Sequence, residues 1–503
     1  MRFIVLFFIG MSSAIYSQVP YNIRLDNDLS QAQGKIVHEL EYSYLCIGRG
    51  FNSGTSVGEG VFATEIDKNT GEVLYNTRFE IAGQTLFFNN IKSGVSIDED
   101  FYFIAHRGLN FHLLRYNQIL KEIISVKVLS PEISTQVTFQ YDFQYRDGKF
   151  YILSPVKIGT TNKNSLLIIK YDLENDIQTE ILIDDDNIDP SWGKMKILPS
   201  GNYLISYSTD EDFRRLFIQE IDLDGNEVWN SGYPVALNGS STSTLHSIDN
   251  NQIFIGGFNA RLPTNSEPIL VPAIFKFDKH QLKFTATSKF DLMTTDYNDW
   301  NSGIREITPT RDSLHYLCIA ELYNIHQDPD TLIGKGMVAK VDTNLNTIWR
   351  RSYRILDNNF VEHHLEDIIP TSDGNYLCYG RASYWNIPPG EIPILSWVFK
   401  IDEDGKIIGD TTTATVDWID EELIDQIEVF PNPASDMIYI NQNEIDHVSY
   451  QVYDIDGRLE DEFSIDHKNE SVMKPIDRWK KGYKIIRMLR DGRLIGSMKV
   501  LKI

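Results

Sequence analysis

Phe217–Trp229 reads FIQEIDLDGNEVW, an alternating apolar run closing on Asp222, an Asp-Gly turn, and a second short run. Period-two alternation around an Asp-Gly turn is the pattern of two antiparallel strands joined by a hairpin. The phrase recurs. It stands as FATEIDKNTGEVLY from Phe62, IIKYDLENDIQTEI from Ile168, MVAKVDTNLNTIW from Met337 and WVFKIDEDGKII from Trp397, with weaker copies at Leu113 and Ile274. Its marker residues are Asp67, Asn117, Asp172, Asp222, Asp278, Asp342 and Asp402, at intervals of 50, 55, 50, 56, 64 and 60 residues.

A second phrase precedes each marker, clearest as LPSGNYLISY from Leu198 and PTSDGNYLCYG from Pro370. Each unit therefore holds about four short strands, and helical spacing is nearly absent. Seven such units between Lys35 and Thr412, about 54 residues each, predict an all-β chain built on a seven-bladed β-propeller. Radial closure removes the free edges that an open sheet of that size would expose. Segment 19–34 is a candidate closing strand for the last blade. The DG…W phrasing at Trp229 and Trp349 resembles secreted bacterial propellers, the quinoprotein-like kind among them.

The chain has 503 residues with 71 acidic and 47 basic side chains, a net charge of −24. That balance excludes a nucleic-acid partner, whose phosphates demand a basic face, and a polybasic membrane-surface binder. The start, MRFIVLFFIGMSSAIYSQ, has the order of a secretory signal peptide over residues 1–17. No later stretch is long and apolar enough for a transmembrane helix. The three cysteines, Cys46, Cys318 and Cys378, sit in the near-identical strings YLCIG, YLCIA and YLCYG. One repeated structural position predicts buried free thiols rather than a disulfide.

Residues 409–425, GDTTTATVDWIDEELID, carry six acidic and no basic side chains and read as a solvated linker, with the propeller at 18–412 and the linker proper at 413–425. Beyond it, 426–503 alternates again around Asp-Gly turns and predicts a small antiparallel β-sandwich. Its strings are IEVFPNPASDMIYI, VSYQVYDIDGRLEDEF and WKKGYKIIRMLRDGRLIGSMKVLKI. They resemble the C-terminal sorting domain of the type IX secretion system. The resemblance rests on Pro431-Asn432-Pro433, the turn at Gly457, the strand start Gly482-Tyr483, and the terminal Lys499 and Lys502. It implies a Gram-negative cargo protein with the type IX machinery as partner, secreted or held at the outer-membrane surface.

In the propeller, chemistry is sought at the mouth of the central channel. Candidate ligand-binding residues on the innermost strands are His38, Trp192, His246, Trp300, Asn301, His363 and His364. His38 and His246 each stand eight residues before Cys46 and its counterpart Phe254. A histidine ring suits acid–base or metal chemistry, yet no HExxH, GxSxG or paired-carboxylate spacing accompanies it. The DLDG and DEDG strings lack the later bidentate Glu of a calcium loop and read as hairpin turns. No catalytic residue, metal site or cofactor is therefore assigned. The expectation is a binding protein for an unidentified extracellular ligand, a glycan or peptide; a secreted polysaccharide lyase or hydrolase is the alternative.

Overall fold

The computed structural model describes residues 22–25, 31–51, 58–81, 86, 94–133, 136–137, 142–158, 164–183, 190–209, 215–233, 240–249, 251–261, 269–290, 303–322, 335–355, 360–384, 394–408, 413–417, 427–442, 447–454, 458–466, 470–490 and 493–503. Every named element among them is a strand.

β1 (Asn22–Leu25) precedes a run of antiparallel sheets of four or five strands. The first holds β2 (Gln31–Glu39), β3 (Ser43–Phe51), β4 (Gly58–Asp67) and β5 (Val73–Phe79). The next holds β6 (Gly94–Ile97), β7 (Asp100–Arg107), β8 (Asn110–Asn117) and β9 (Glu122–Leu129). In the third, β10 (Gln136–Val137) and β11 (Asp142–Arg146) both pair β12 (Lys149–Lys157), followed by β13 (Asn164–Asp172) and β14 (Ile177–Ile183). Then come β15 (Pro190–Ile197), β16 (Tyr203–Thr209), β17 (Leu216–Ile221) and β18 (Glu227–Gly232). The following sheet has β19 (Ser240–Ser247), β20 (Gln252–Arg261), β21 (Ile269–Asp278) and β22 (Lys283–Lys289). After it stand β23 (Ile304–Pro309), β24 (His315–Leu322), β25 (Lys335–Asp342) and β26 (Thr347–Ile355). The last has β27 (Phe360–Pro370), β28 (Tyr376–Tyr384) and β29 (Ile394–Ile401), with β1 antiparallel to β29 as its fourth strand, and Gln31 of β2 pairs Ile394 of β29 in parallel, which links this sheet to the first. The start of the chain thus completes the sheet made by the end of the repeats.

Apolar clusters join each sheet to the next. Leu45, Ile47 and Phe103 pack the first against the second, and Leu317, Val338 and Trp397 pack the two before closure. Val37, Cys46, Leu377 and Val398 then join the last sheet to the first. A sheet of this kind has two apolar faces, so each blade stabilises two neighbours and the ring has no terminal face to expose.

The marker residues explain why the hairpins recur. Each of the seven accepts backbone N–H groups two to four residues on through its side-chain Oδ1. At Asp222 the donors are Asp224 at 3.0 Å and Asn226 at 2.8 Å. These Asx turns occupy the carboxylates that a calcium loop would need. Hydrogen bonds from Asn226 hold Asp222 below the ordinary carboxylate range. Leu282 and Leu345 take positive φ (49° and 67°) where Gly71 and Gly405 stand in other copies. Cys46, Cys318 and Cys378 are free and fully buried, and burial raises each thiol.

The acidic stretch departs from a solvated linker at its start. Thr413–Asp417 forms β30, which pairs antiparallel with β26 as a fifth strand of that sheet. The exposed outer edge of β26 offers unpaired N–H and C=O groups, and the threonine-rich segment has strand propensity enough to take them. Residues 418–426 lie outside the described set.

The C-terminal part has two sheets. β31 (Ile427–Phe430), β32 (Met437–Gln442) and β35 (Glu470–Pro475) form one. β33 (Val448–Asp454), β34 (Leu459–Ile465), β36 (Gly482–Arg490) and β37 (Arg493–Lys502) form the other. Ile438, Ile440, Tyr450, Val452, Trp479, Ile486 and Met488 are among the residues of their common core. Strand alternation shows in β33, where Val448, Tyr450, Val452 and Asp454 are buried and the residues between them are half-buried.

Candidate functional site

The first strands of all the repeat sheets meet around one cavity of about 410 Å³. Its walls include Val37 and His38 of β2, Val95 of β6, Gln144 of β11, Lys194 of β15, His246 of β19, Glu306 of β23 and Asp367 of β27. This volume lies within the usual range of small-molecule sites, and polar or charged side chains alternate with apolar ones around its wall.

His38 and His246 both line this cavity. They hold the same ladder position, though not by the equal residue count: His38 pairs Leu45, whereas His246 pairs Phe254. The hairpin after β19 is one residue longer, so Phe254 corresponds to Leu45, and it is Val37 that faces Cys46. His38 stacks on Phe101 at 4.8 Å and its Nε2 lies 3.0 Å from Ser96 Oγ. Burial pushes its pKa down, favouring the neutral ring. His246 meets Tyr316 edge-on at 5.2 Å.

His363 and His364 are not among the described residues that line it. His363 is fully buried; its Nε2 accepts the Ile355 N–H at 3.0 Å, and its ring meets Trp397 edge-on. It is a packing histidine, because alternation along β27 places it on the same face as Leu365, which packs with Trp397 in the core between the last two sheets. His364 is buried with Nδ1 at 3.4 Å from Arg381. Trp192 lies on β15 opposite Ser208. Trp300 and Asn301 lie outside the described residues. Among the described residues no group of three or more His, Cys, Asp or Glu could hold a metal ion.

Two channel carboxylates are committed to the fold. Asp142 Oδ2 accepts the Met195 N–H at 2.8 Å, and Asp367 Oδ2 accepts the Val37 N–H at 2.9 Å. Each innermost strand is a sheet edge whose inward N–H groups have no ladder partner, and the aspartate of the preceding sheet supplies one. Gln144 and Arg146 extend the stitch by donating to the carbonyls of Met195 and Leu198. Asp367 also accepts the Ile368 N–H at 2.9 Å through Oδ1 and is 1% exposed. Asp367→Ala leaves two buried donors without it, so a loss of about 2–4 kcal/mol is expected in chemical denaturation, and a smaller loss for Asp367→Asn.

Sequence reasoning missed these stitches, and it missed the bulges beside them. β2, β23 and β27 each skip one ladder position immediately before the cavity, at Lys35, Arg305 and Glu366. Lys35 Nζ bonds Glu366 Oε1 at 2.5 Å, with both side chains buried. Burial lowers Lys35 to about 8 against the pull of Glu366. Burial opposes ionisation of Glu366, yet Lys35, Arg305 and Arg381 hold it at about 2.

In the C-terminal part, several of the residues expected to form the sorting signal lie against the last strand. Peptide bonds Phe430–Pro431 and Asn432–Pro433 are cis, and β31 precedes them, so the turn follows a first short strand. Asn432 Oδ1 accepts the Leu501 N–H at 2.9 Å. Ala434 N–H donates to Leu501 O, Ile503 N–H returns to Ala434 O, and Lys502 Nζ donates to Ser435 O. Gly482 opens β36 at φ 120°, a conformation that glycine favours, and Tyr483 follows, 46% exposed. Lys499 pairs Ile485 on β37, and Gly457 lies outside the described residues.

Residues 428–500 match the family described as the secretion system C-terminal sorting domain. This segment is a type IX sorting domain. The protein is therefore exported by that system to the cell surface or extracellular space. No helix among the described residues is long and apolar enough to cross a membrane. No curated protein matches the chain significantly. Solved structures similar to it include polysaccharide lyase Uly1, at 10% identity and TM-score 0.45 over 76% of this chain and 99% of that one. Others are the Pan2 WD40 domain of Neurospora crassa (11%, TM-score 0.41, 75% and 92%) and a GH93 α-L-arabinofuranosidase of Fusarium graminearum (8%, 0.41, 62% and 96%). The repeat region is an all-β propeller, as the periodicity predicts.

Proposed function

We propose that this chain is a seven-bladed β-propeller that binds an extracellular ligand at its central channel and reaches the cell exterior through its sorting domain. The observation carrying the reading is the cavity walled by the first strand of every repeat sheet, with His38, Gln144, Lys194 and His246 among its polar groups. Closure of the last sheet by β1 supports the count of seven. In this reading residues 1–17 are removed as a signal peptide, 18–412 form the binding domain, and 426–503 the delivery tag. A secreted lyase or hydrolase is a second reading, favoured by His38, which burial keeps neutral and able to accept a proton.

The test is a glycan and peptide array probed with the mature chain, followed by product analysis on whatever binds. A ligand whose binding is lost in His246→Ala supports the channel, and its cleavage supports the enzyme reading. A folded chain that binds nothing on either array overturns the proposal.

A further inference from the structure

A hydroxyl and an imidazole meet at the channel wall between the first two sheets. Ser96 Oγ of β6 lies 3.0 Å from His38 Nε2 of β2, within the reach of a nucleophile and its base. The hairpin explains the meeting. β6 and β7 are joined by the two-residue turn Asp98–Glu99, so Ile97 with Asp100 and Val95 with Tyr102 are the hydrogen-bonded pairs. Ser96 and Phe101 form the closer pair between them, with both side chains on the face turned to β2. Phe101 stacks on the His38 ring at 4.8 Å and fixes its plane, while Ser96 meets its Nε2. Gly94 makes room for Phe101, because a Cβ added there would overlap Phe101 Cζ. His38, Gly94, Val95 and Phe101 all line the cavity, and Ser96, next along the strand, is exposed.

Ser96 makes no ladder bond to β7, so its N–H points away from that strand and towards the channel. A nucleophile's own N–H is an established kind of oxyanion donor in acyl transfer. Burial pushes the His38 pKa down and keeps the ring neutral, the form that accepts a proton; Glu39 and Lys68 act on it in opposite directions. Glu39 does not orient the ring, since its carboxylate takes Lys68 at 2.8 Å and the Ser372 N–H at 2.9 Å. Among the described residues no carboxylate bonds His38 Nδ1, so an imidazolium formed here lacks the partner that a triad supplies. Such a pair suits an alcohol leaving group, which departs more readily than an amine that must first be protonated.

We propose that Ser96 and His38 are a nucleophile and its general base, which hydrolyse a carboxylic ester bound in the channel cavity. This rests on the hydrolase reading above and names its residues and the bond it breaks. Ser96 Oγ attacks the acyl carbon as its proton passes to His38 Nε2. The ester C–O bond breaks, and the alcohol leaves with that proton. Water then attacks the acyl-serine and gives one proton to Nε2. The acyl–Oγ bond breaks, the carboxylic acid is released, and the proton returns to Oγ. One ester and one water become one acid and one alcohol.

The mature chain is treated with a fluorophosphonate, which phosphonylates an activated serine with loss of fluoride, and is assayed separately on p-nitrophenyl acetate and p-nitroacetanilide. Peptide mass mapping is expected to place the adduct on Ser96, and the ester to turn over. Ser96→Ala should remove both the adduct and the turnover. His38→Gln, whose amide oxygen still accepts from the Ser96 hydroxyl but is no base, should slow both by about a hundredfold. Loss in this variant separates proton transfer from packing against Phe101. A folded chain that forms no adduct at Ser96 overturns the proposal, as does ester turnover unchanged in Ser96→Ala. Anilide turnover at a comparable rate would overturn the ester assignment. An array ligand lost in His246→Ala, on a chain with no Ser96 adduct, would sink the dyad and leave the channel-binding reading standing. An adduct on a chain that binds nothing on the arrays would do the reverse.

Discussion

Deleting residues 426–503 is expected to abolish delivery to the cell exterior and hold the chain in the periplasm, with the propeller still folded. The sorting domain has a core of its own: Ala434, Ile438, Tyr450, Trp479, Met488 and Val500 pack among themselves, and no repeat residue belongs to that cluster. Among the described residues, its removal takes nothing from the apolar clusters of the blades. β30, which the sheet of β23–β26 uses as an edge, ends at Asp417 and survives the cut. A smaller lesion should act through the same element. Asn432→Ala removes the acceptor for the Leu501 N–H and so loosens the turn from the last strand, at a cost of about 1 kcal/mol. Fractionation with an antibody against the propeller reads both variants. A deletion chain recovered outside the cell in normal amount would show that delivery does not depend on this domain.

The parts of this architecture that were legible in the sequence are those decided within one hairpin. Asp222 and its six counterparts could be recognised because an Asx turn needs only its own acceptor and the next few backbone donors. Free buried thiols followed from three copies of one string, since a residue repeated at one place in each blade cannot reach its copies. The channel residues depend on relations between blades. Lys35, Arg305 and Glu366 stand eleven, thirteen and twelve residues before their cysteines, so no fixed spacing aligns them. The differences come from the hairpin loops, which vary by a residue while the ladder stays constant. Asp142 and Asp367 were invisible for a related reason: their acceptor role is set by the edge of another sheet about fifty or three hundred and thirty residues away. His363 shows the opposite error. Its place on an innermost strand was read correctly, but alternation turned it away from the channel and into contact with Trp397.

Replacing Glu366 by Gln is expected to flatten the acid limb of the stability profile and to lower stability at neutral pH by about 3 kcal/mol. Burial alone would keep this carboxyl protonated, yet the neighbouring Lys35, Arg305 and Arg381 hold it at about 2 against an ordinary 4.5. A carboxylate whose folded value is depressed stabilises the native state fully above its unfolded value. That contribution fades as pH falls from 4.5 towards 2, because only the unfolded chain takes up the proton over most of that window. Glutamine has no such proton, so the variant should lose less stability than the native chain across the same interval. Lys35 acts at the other end. Its folded value of about 8 lies below the ordinary 10.5, so between these limits the unfolded chain binds more protons and this residue alone makes stability rise with pH. In Glu366→Gln the lysine has lost its counter-ion and its value should fall further, moving that rise towards neutrality. Lys35→Met combined with Glu366→Gln removes both charges from the buried site and should recover part of the loss, since an isolated buried ammonium costs more than an uncharged pair. Urea denaturation at a series of pH values reads all three chains. Parallel profiles for the native chain and Glu366→Gln below 4.5 would mean that Glu366 is not the group whose ionisation the channel cations sustain.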